Sequence, residues 1–184
     1  HGVVRIARNP GDHILRNKFR WTKNAKRCKS LNKSGDKCFL KMARPTCRQV
    51  FSNDAGKAYV RFHKFWDRAD LNLPQIFVCY EHASQKATVL KAMSTMFHFF
   101  DFYSQTNYYM ENFYKEENIK QLRGIVKEPA YEQGTLMARV CGKEIARKVH
   151  DMTKEISERL GYVFDNETAT WSLETPFTFN LTVE

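Results

Sequence analysis

Lys57-Ala58-Tyr59-Val60-Arg61-Phe62-His63-Lys64-Phe65-Trp66 is the stretch on which a fold assignment for this 184-residue chain turns. Ala58, Val60, Phe62 and Lys64 fall on one side of an extended backbone, and Tyr59, Arg61, His63 and Phe65 on the other. That alternation predicts a strand. Asn53-Asp54-Ala55-Gly56 reads as the turn before it. Further upstream, Arg27-Cys28-Lys29-Ser30-Leu31 and Lys37-Cys38-Phe39-Leu40-Lys41-Met42 flank Asn32-Lys33-Ser34-Gly35-Asp36 in the pattern of a hairpin that Arg44-Pro45 ends. Val3 to Ala7 and the apolar run Leu73 to Tyr80 complete an N-terminal antiparallel sheet with one wet, basic face.

Beyond His82 the composition changes to helix formers. Val89, Leu90, Met93, Met96, Phe97, Phe100 and Tyr103 recur three and four apart, which predicts a buried helix capped at Ser84. A more polar helix is expected from Asn107 to Val126. A third, from Tyr131 to Leu160, carries Met137, Cys141, Ile145, Val149, Met152, Ile156 and Leu160 on one stripe and stops at Gly161. Lys143, Arg147, His150 and Lys154 on its other side read as solvated surface beside Glu144, Asp151, Glu155 and Glu158. Tyr162 to Phe164, Thr168 to Leu173 and Phe177 to Val183 return to strand character. The fold class is thus α+β: a basic N-terminal antiparallel sheet, a central region of about three helices and a C-terminal β-hairpin that rejoins the sheet. We read the whole chain as a single domain, with a β-rich part over 1–80, a helical part over 81–161 and strands over 162–184.

Charge is unevenly spread. Residues 1 to 68 hold 18 Lys+Arg against 4 Asp+Glu, and residues 69 to 184 hold 12 against 16. A one-sign region repels itself and costs stability unless a polyanion relieves it. Lys18-Phe19-Arg20-Trp21 and Arg61-Phe62-His63-Lys64-Phe65-Trp66 interleave that charge with rings, the pattern of sequence-tolerant single-strand binding, in which cations follow phosphates and bases stack on aromatic faces. The candidate binding residues are Lys18, Arg20, Trp21, Lys23, Lys26, Arg27, Lys29, Arg48, Lys57, Arg61, Lys64, Phe65 and Trp66. On a strand Phe62 and Phe65 point to opposite faces, so at most one is a stacking platform, and Arg61 favours Phe65.

Cys47-Arg48-Gln49-Val50-Phe51-Ser52-Asn53-Asp54-Ala55-Gly56-Lys57-Ala58, downstream of a basic aromatic stretch, resembles a passage in the single-stranded DNA-binding proteins of large DNA viruses, of the adenovirus and baculovirus kind. The resemblance implies a non-catalytic protein of viral DNA replication that coats single strands in the host nucleus. Adenovirus-type relatives also hold zinc, which would draw on Cys28, Cys38, Cys47, Cys79 and His82. Paired Cys-x-x-Cys knuckles are missing, so the reading from the residues assigns no metal and no cofactor.

The expected partner is single-stranded DNA, with RNA as a further ligand and self-association through the ring-rich segment Phe97 to Tyr114. Cys28, Cys38, Cys47, Cys79 and Cys141 form no dense framework, so we expect them reduced and the protein intracellular. The start, His1-Gly2-Val3-Val4-Arg5, lacks the apolar core of a signal peptide and reads as that of a trimmed chain. No run of 18 apolar residues predicts a membrane span. Asn166-Glu167-Thr168 and Asn180-Leu181-Thr182 match the N-glycosylation acceptor pattern, which matters only in a secreted chain and is read here as chance. An enzyme is not expected. Two alternatives from other classes are a metal-dependent nuclease using Glu81, Asp101, Asp165, Glu167 or Glu174, and a viral structural or assembly protein.

Overall fold

A computed structural model describes residues 3–20, 22–30, 35–52, 55–68, 73–126 and 132–174. The expected N-terminal antiparallel sheet is absent from them. From Pro10 to Trp66 the described chain is helical: α1 (Pro10–Arg20), α2 (Lys23–Ser30), α3 (Gly35–Met42), a 3-10 turn over Arg44–Arg48, α4 (Gln49–Ser52) and α5 (Ala55–Trp66). Two causes outweigh the alternation. Lys and Arg are good helix formers, and the residues that α5 buries, Ala55, Gly56, Tyr59 and His63, recur at helical spacing. Alternate apolar residues such as Ala58 and Phe62 stay exposed. In α1 the buried set Ile14, Leu15 and Phe19 shows the same period.

Two of the expected strands do form, but as a parallel pair: β1 (Val3–Ala7) lies against β2 (Gln75–Cys79), in register from Val3 opposite Gln75 to Ala7 opposite Cys79. After β2 come α6 (Tyr80–Ala83), α7 (Val89–Ser104), α8 (Tyr108–Phe113) and α9 (Glu116–Ile125). The expected helix from Tyr131 is interrupted. α10 (Leu136–Cys141) stops at Gly142, whose φ of 95° is open to glycine and strained for other residues, and α11 (Lys143–Arg159) starts afresh. The break shifts the buried stripe of α11 to Ala146, Val149, Thr153 and Ile156, leaving Met152 at the surface. β3 (Tyr162–Asp165) and β4 (Thr170–Leu173) form the C-terminal antiparallel hairpin. Among the described residues it is a separate two-stranded sheet and does not rejoin β1 and β2, and the third expected strand, Phe177 to Val183, lies outside them.

The chain divides into two compact units, made of 1–8, 70–129 and 175–184 and of 9–69 and 130–174. In the first, the β1–β2 pair is covered by α7: Ile76, Val78, Ala92 and Phe99 are buried together, with Val4, Met96, Phe100 and Tyr103 packed around them. Asp101 organises the next turn. Its carboxylate accepts the N–H groups of Tyr109 (2.9 Å) and Met110 (2.7 Å), capping α8 from the preceding helix.

In the second unit, α1, α5, α10 and α11 enclose the core, with Ile14, Leu15, Leu136, Met137, Val149 and Ile156 fully buried. Asp12, also fully buried, accepts the N–H groups of Gly134 (3.1 Å) and Leu136 (3.2 Å) and so ties α1 to the start of α10 across more than 120 residues. Gly134, with φ 86°, lies against the carbonyl of Trp171 where a Cβ would overlap it. Two exposed ion pairs, Lys64–Glu155 and Arg159–Asp67, run between the α5 segment and α11. Exposed pairs of this kind contribute only about 0–1 kcal/mol each, so apolar packing is the main support of this unit.

The expectation of reduced cysteines is overturned at four of the five positions. Cys28 is bonded to Cys38 and Cys47 to Cys141, leaving Cys79 outside any disulfide. Folding brings each pair within bridging reach, with Cα separations of 5.7 and 5.3 Å.

Candidate functional site

The second unit carries 22 Lys+Arg against 12 Asp+Glu, and the first 8 against 8, so the whole net charge of +10 belongs to the second unit. Within it α2 and α3 form an antiparallel helical hairpin. Cys28 and Cys38 bond across it, and the Asn24 amide donates to the Met42 carbonyl at 3.2 Å, so the N-terminal end of α2 meets the C-terminal end of α3. Ala43 leads from there into the 3-10 turn, where Pro45 fits an early position that needs no donated N–H. The turn points Cys47 inward, and its partner Cys141 is the last residue of α10.

This bridge frames an open groove of about 1010 Å³. Leu40 and Lys41 of α3, Arg44, Pro45, Cys47 and Arg48 of the turn, and the segment Ala138 to Gly142 line it. Four cations, Lys41, Arg44, Arg48 and Arg139, therefore face one cavity with no carboxylate among the lining residues. All four are exposed, and none makes an ion pair within 4 Å among the described residues. Lys41 and Arg139 sit in the last turns of their helices, where the helix dipole favours a cation. Arg48 likewise closes the 3-10 turn, whereas Arg44, at its start, has no such reason to be there. Guanidinium groups beside one another in a partly enclosed site attract phosphate, sulfate or carboxylate groups, and Arg binds them in a bidentate fork.

Of the expected binding residues, Arg48 lines this groove. Lys23, Lys26 and Arg27 are exposed on α2, and Lys29 belongs to the same helix. Lys18 is half-buried and Arg20 exposed on α1, while Trp21 lies outside the described residues. Lys57, Arg61 and Lys64 recur at four and three along α5 and make a separate exposed stripe, with Lys64 paired to Glu155 at 3.1 Å. Trp66 is half-buried. The opposition of Phe62 and Phe65 expected from a strand is overturned. On a helix they lie about 60° apart, and they are 53% and 47% exposed. Phe65 already has the Arg68 guanidinium 5.9 Å from its ring centre.

Lys41, Arg44 and Arg139 were missed. The first two fell between the dense passages of charge, and Arg139 is separated from them by almost a hundred residues. The signal that could have found it was Cys141, two positions on from Arg139, had it been paired with Cys47.

The other candidates have structural tasks. Asp101 caps α8. Asp165 holds the β3–β4 turn by accepting Glu167 N–H at 2.8 Å and the Thr168 hydroxyl at 2.6 Å. No group of three His, Cys, Asp or Glu suited to a metal ion occurs among the described residues. The zinc set implied by the viral resemblance loses Cys28, Cys38 and Cys47 to disulfides. On α11, Lys143 and Arg147 donate to the carbonyls of Glu167 and Asn166, and His150 stacks on Phe164 with ring centres 4.2 Å apart. Burial holds the His150 pKa below 6.5. In the first unit, Phe97, Tyr108, Tyr109, Phe113, Leu122 and Ile125 help line a shallow apolar groove of about 420 Å³ in the ring-rich region. No described helix is long and apolar enough to cross a membrane.

Comparison with protein-family models, with curated proteins and with solved structures gave no match.

Proposed function

We propose that the second unit is a non-catalytic binding module for a polyanionic strand, and that single-stranded DNA bound without regard to sequence is its ligand. The observation that carries this reading is the groove in which Lys41, Arg44, Arg48 and Arg139 converge without a carboxylate, in the unit that holds all of the net charge. Phosphates seat in the groove, and the exposed rings of Phe62 and Phe65 on α5 are the candidates for stacking. Recognition by charge reads no base edges, which is why no sequence preference is expected. A role in viral replication rests on the resemblance from Cys47 to Ala58. The nuclear location expected with it loses one support, the reduced cysteines.

A sulfated polysaccharide is the second reading, favoured by one observation: both disulfides lie in the same unit as the groove, and disulfides persist chiefly in oxidising compartments. Such a chain offers the same anionic spacing to arginines but no bases. Anisotropy titrations of labelled oligo-dT and of a heparin fragment across a salt series separate the two. For oligo-dT, each phosphate contact adds about 0.7 to the logarithmic salt slope. Arg44→Ala with Arg139→Ala should reduce that slope by about 1.4 and weaken binding roughly tenfold per arginine, taking about 1.4 kcal/mol for each charge-assisted contact. Preference for heparin over oligo-dT would select the second reading. Weak, salt-insensitive binding to both, or unchanged binding by the double variant, would dismiss the groove as a polyanion site.

A further inference from the structure

We infer that Asn166 is an N-glycan acceptor and that this chain matures in an oxidising, oligosaccharide-transferring compartment. This does not rest on the polyanion reading, and it favours the sulfated polysaccharide over a nuclear DNA strand as the ligand of the groove. Asn166-Glu167-Thr168 is the tip of the β3–β4 hairpin: Asp165 pairs with Thr170, so residues 166–169 form the whole loop. All three sequon residues are exposed. The loop backbone is fastened beneath them. The Ala169 N–H donates to the Asp165 carbonyl at 2.8 Å, Asp165 accepts the Glu167 N–H, and Arg147 donates to the Asn166 carbonyl at 2.8 Å. These bonds use the main chain of Asn166 and leave its side-chain amide without a hydrogen-bond partner among the described residues. A glycan on Nδ2 therefore displaces no contact of the fold and extends into solvent, as an acceptor asparagine in a surface loop requires.

The second observation has a different origin. Cys28–Cys38 and Cys47–Cys141 arise from tertiary placement, with no reference to the sequon, and paired cysteines belong to the same class of compartment in which Asn-x-Thr acceptors are used. The transfer balances without a redox partner. The Asn166 amide nitrogen bonds to C1 of the first sugar of a lipid-pyrophosphate-linked oligosaccharide, the C1–oxygen bond breaks, the lipid pyrophosphate leaves with the electron pair, and the amide loses one proton. The Thr168 hydroxyl, which in the folded chain donates to Asp165, is free in the extended chain on which transfer occurs.

The test uses the full chain translated, behind a cleavable signal peptide, into endoplasmic-reticulum microsomes, followed by peptide-N-glycosidase and peptide mass mapping. The enzyme should convert Asn166 to Asp, and Asn166→Gln and Thr168→Ala should each abolish the mass shift at that peptide. Asn180→Gln serves as the control for the other sequon and should leave the Asn166 signal intact. A protease-protected chain with Asn166 unmodified, or an undiminished shift at that peptide in Asn166→Gln, overturns the inference. The same mapping on protein from its own cells must also find Asn166 modified and the four cysteines paired, and an unmodified Asn166 there overturns it as well. Groove titrations on unglycosylated protein test polyanion binding separately.

Discussion

Removing each disulfide in turn tests the architecture of the second unit, because the two close loops of very different length. Cys47 and Cys141 are 94 residues apart and Cys28 and Cys38 only 10. In the chain-entropy account, the long bridge restricts the unfolded chain by about 4–5 kcal/mol and the short one by about 2.5–3 kcal/mol. Cys47→Ser with Cys141→Ser should therefore cost roughly 2 kcal/mol more than Cys28→Ser with Cys38→Ser. At a urea dependence of about 2 kcal/mol per molar, the long-bridge variant should unfold roughly 2 M earlier than wild type and the short-bridge variant a little over 1 M earlier. Tryptophan fluorescence reports this unit selectively, since Trp21, Trp66 and Trp171 all fall within its boundaries and Trp171 is buried. The long-bridge variant should also lose oligo-dT affinity, because Cys47 and Cys141 hold two walls of the groove together. Equal midpoints for the two variants, or a wild-type midpoint that ignores reductant, would refute the pairing or the loop argument.

Asp12→Ala should destabilise the same unit by roughly 3–5 kcal/mol in urea titrations, since two buried N–H groups lose a charged acceptor; a change under about 0.5 kcal/mol, the scale of ordinary surface substitutions, would show the bonds to be incidental. For Asp101, burial alone would raise the pKa, but the bonds from the Tyr109 and Met110 N–H groups prevail and hold it below 3.8. A carboxyl depressed on folding contributes stability that is complete above its unfolded pKa and is lost as pH falls through the folded one. The Tyr109 and Met110 amide resonances should therefore hold their native positions at pH values where an ordinary carboxyl is already protonated. Asp101→Asn should abolish that acid step, and identical acid titrations of variant and wild type would count against the cap.

Sequence patterning was informative where one period stood alone. β1, β2, α7 and the strands of the C-terminal hairpin could be placed because their runs fit a single template, although α7 starts at Val89 after Thr88 and not at the expected Ser84 cap. Lys57 to Trp66 fitted two. Its alternate residues satisfy a strand, yet Tyr59 and His63, four apart, are the pair the fold buries. The helix propensity of its Lys and Arg leans one way and the alternation the other, and the opposing surface supplied by α11 settles the choice. The stripe from Met137 to Leu160 looked continuous because a lone glycine rarely outweighs seven matching positions, although Gly142 does so here by its left-handed backbone. The groove was the least legible part. Its cations come from three elements, and the covalent link that assembles them pairs cysteines whose partners cannot be derived from spacing.

The threading of the chain between the units has a consequence for synthesis. β1 and β2 are successive strands of one sheet, yet some seventy residues separate them, and Asp12 meets Gly134 only after a further sixty have been made. At about 5–20 residues per second, β1 waits roughly 4–14 s on the ribosome with both edges unpaired. Neither unit is a contiguous gene segment, so a truncation that keeps one also leaves part of the other behind. The first half of the basic unit must stay soluble as a tail of cations until α10 and α11 arrive, and in that interval its one-sign charge, a liability in the folded protein, is what keeps nascent copies apart.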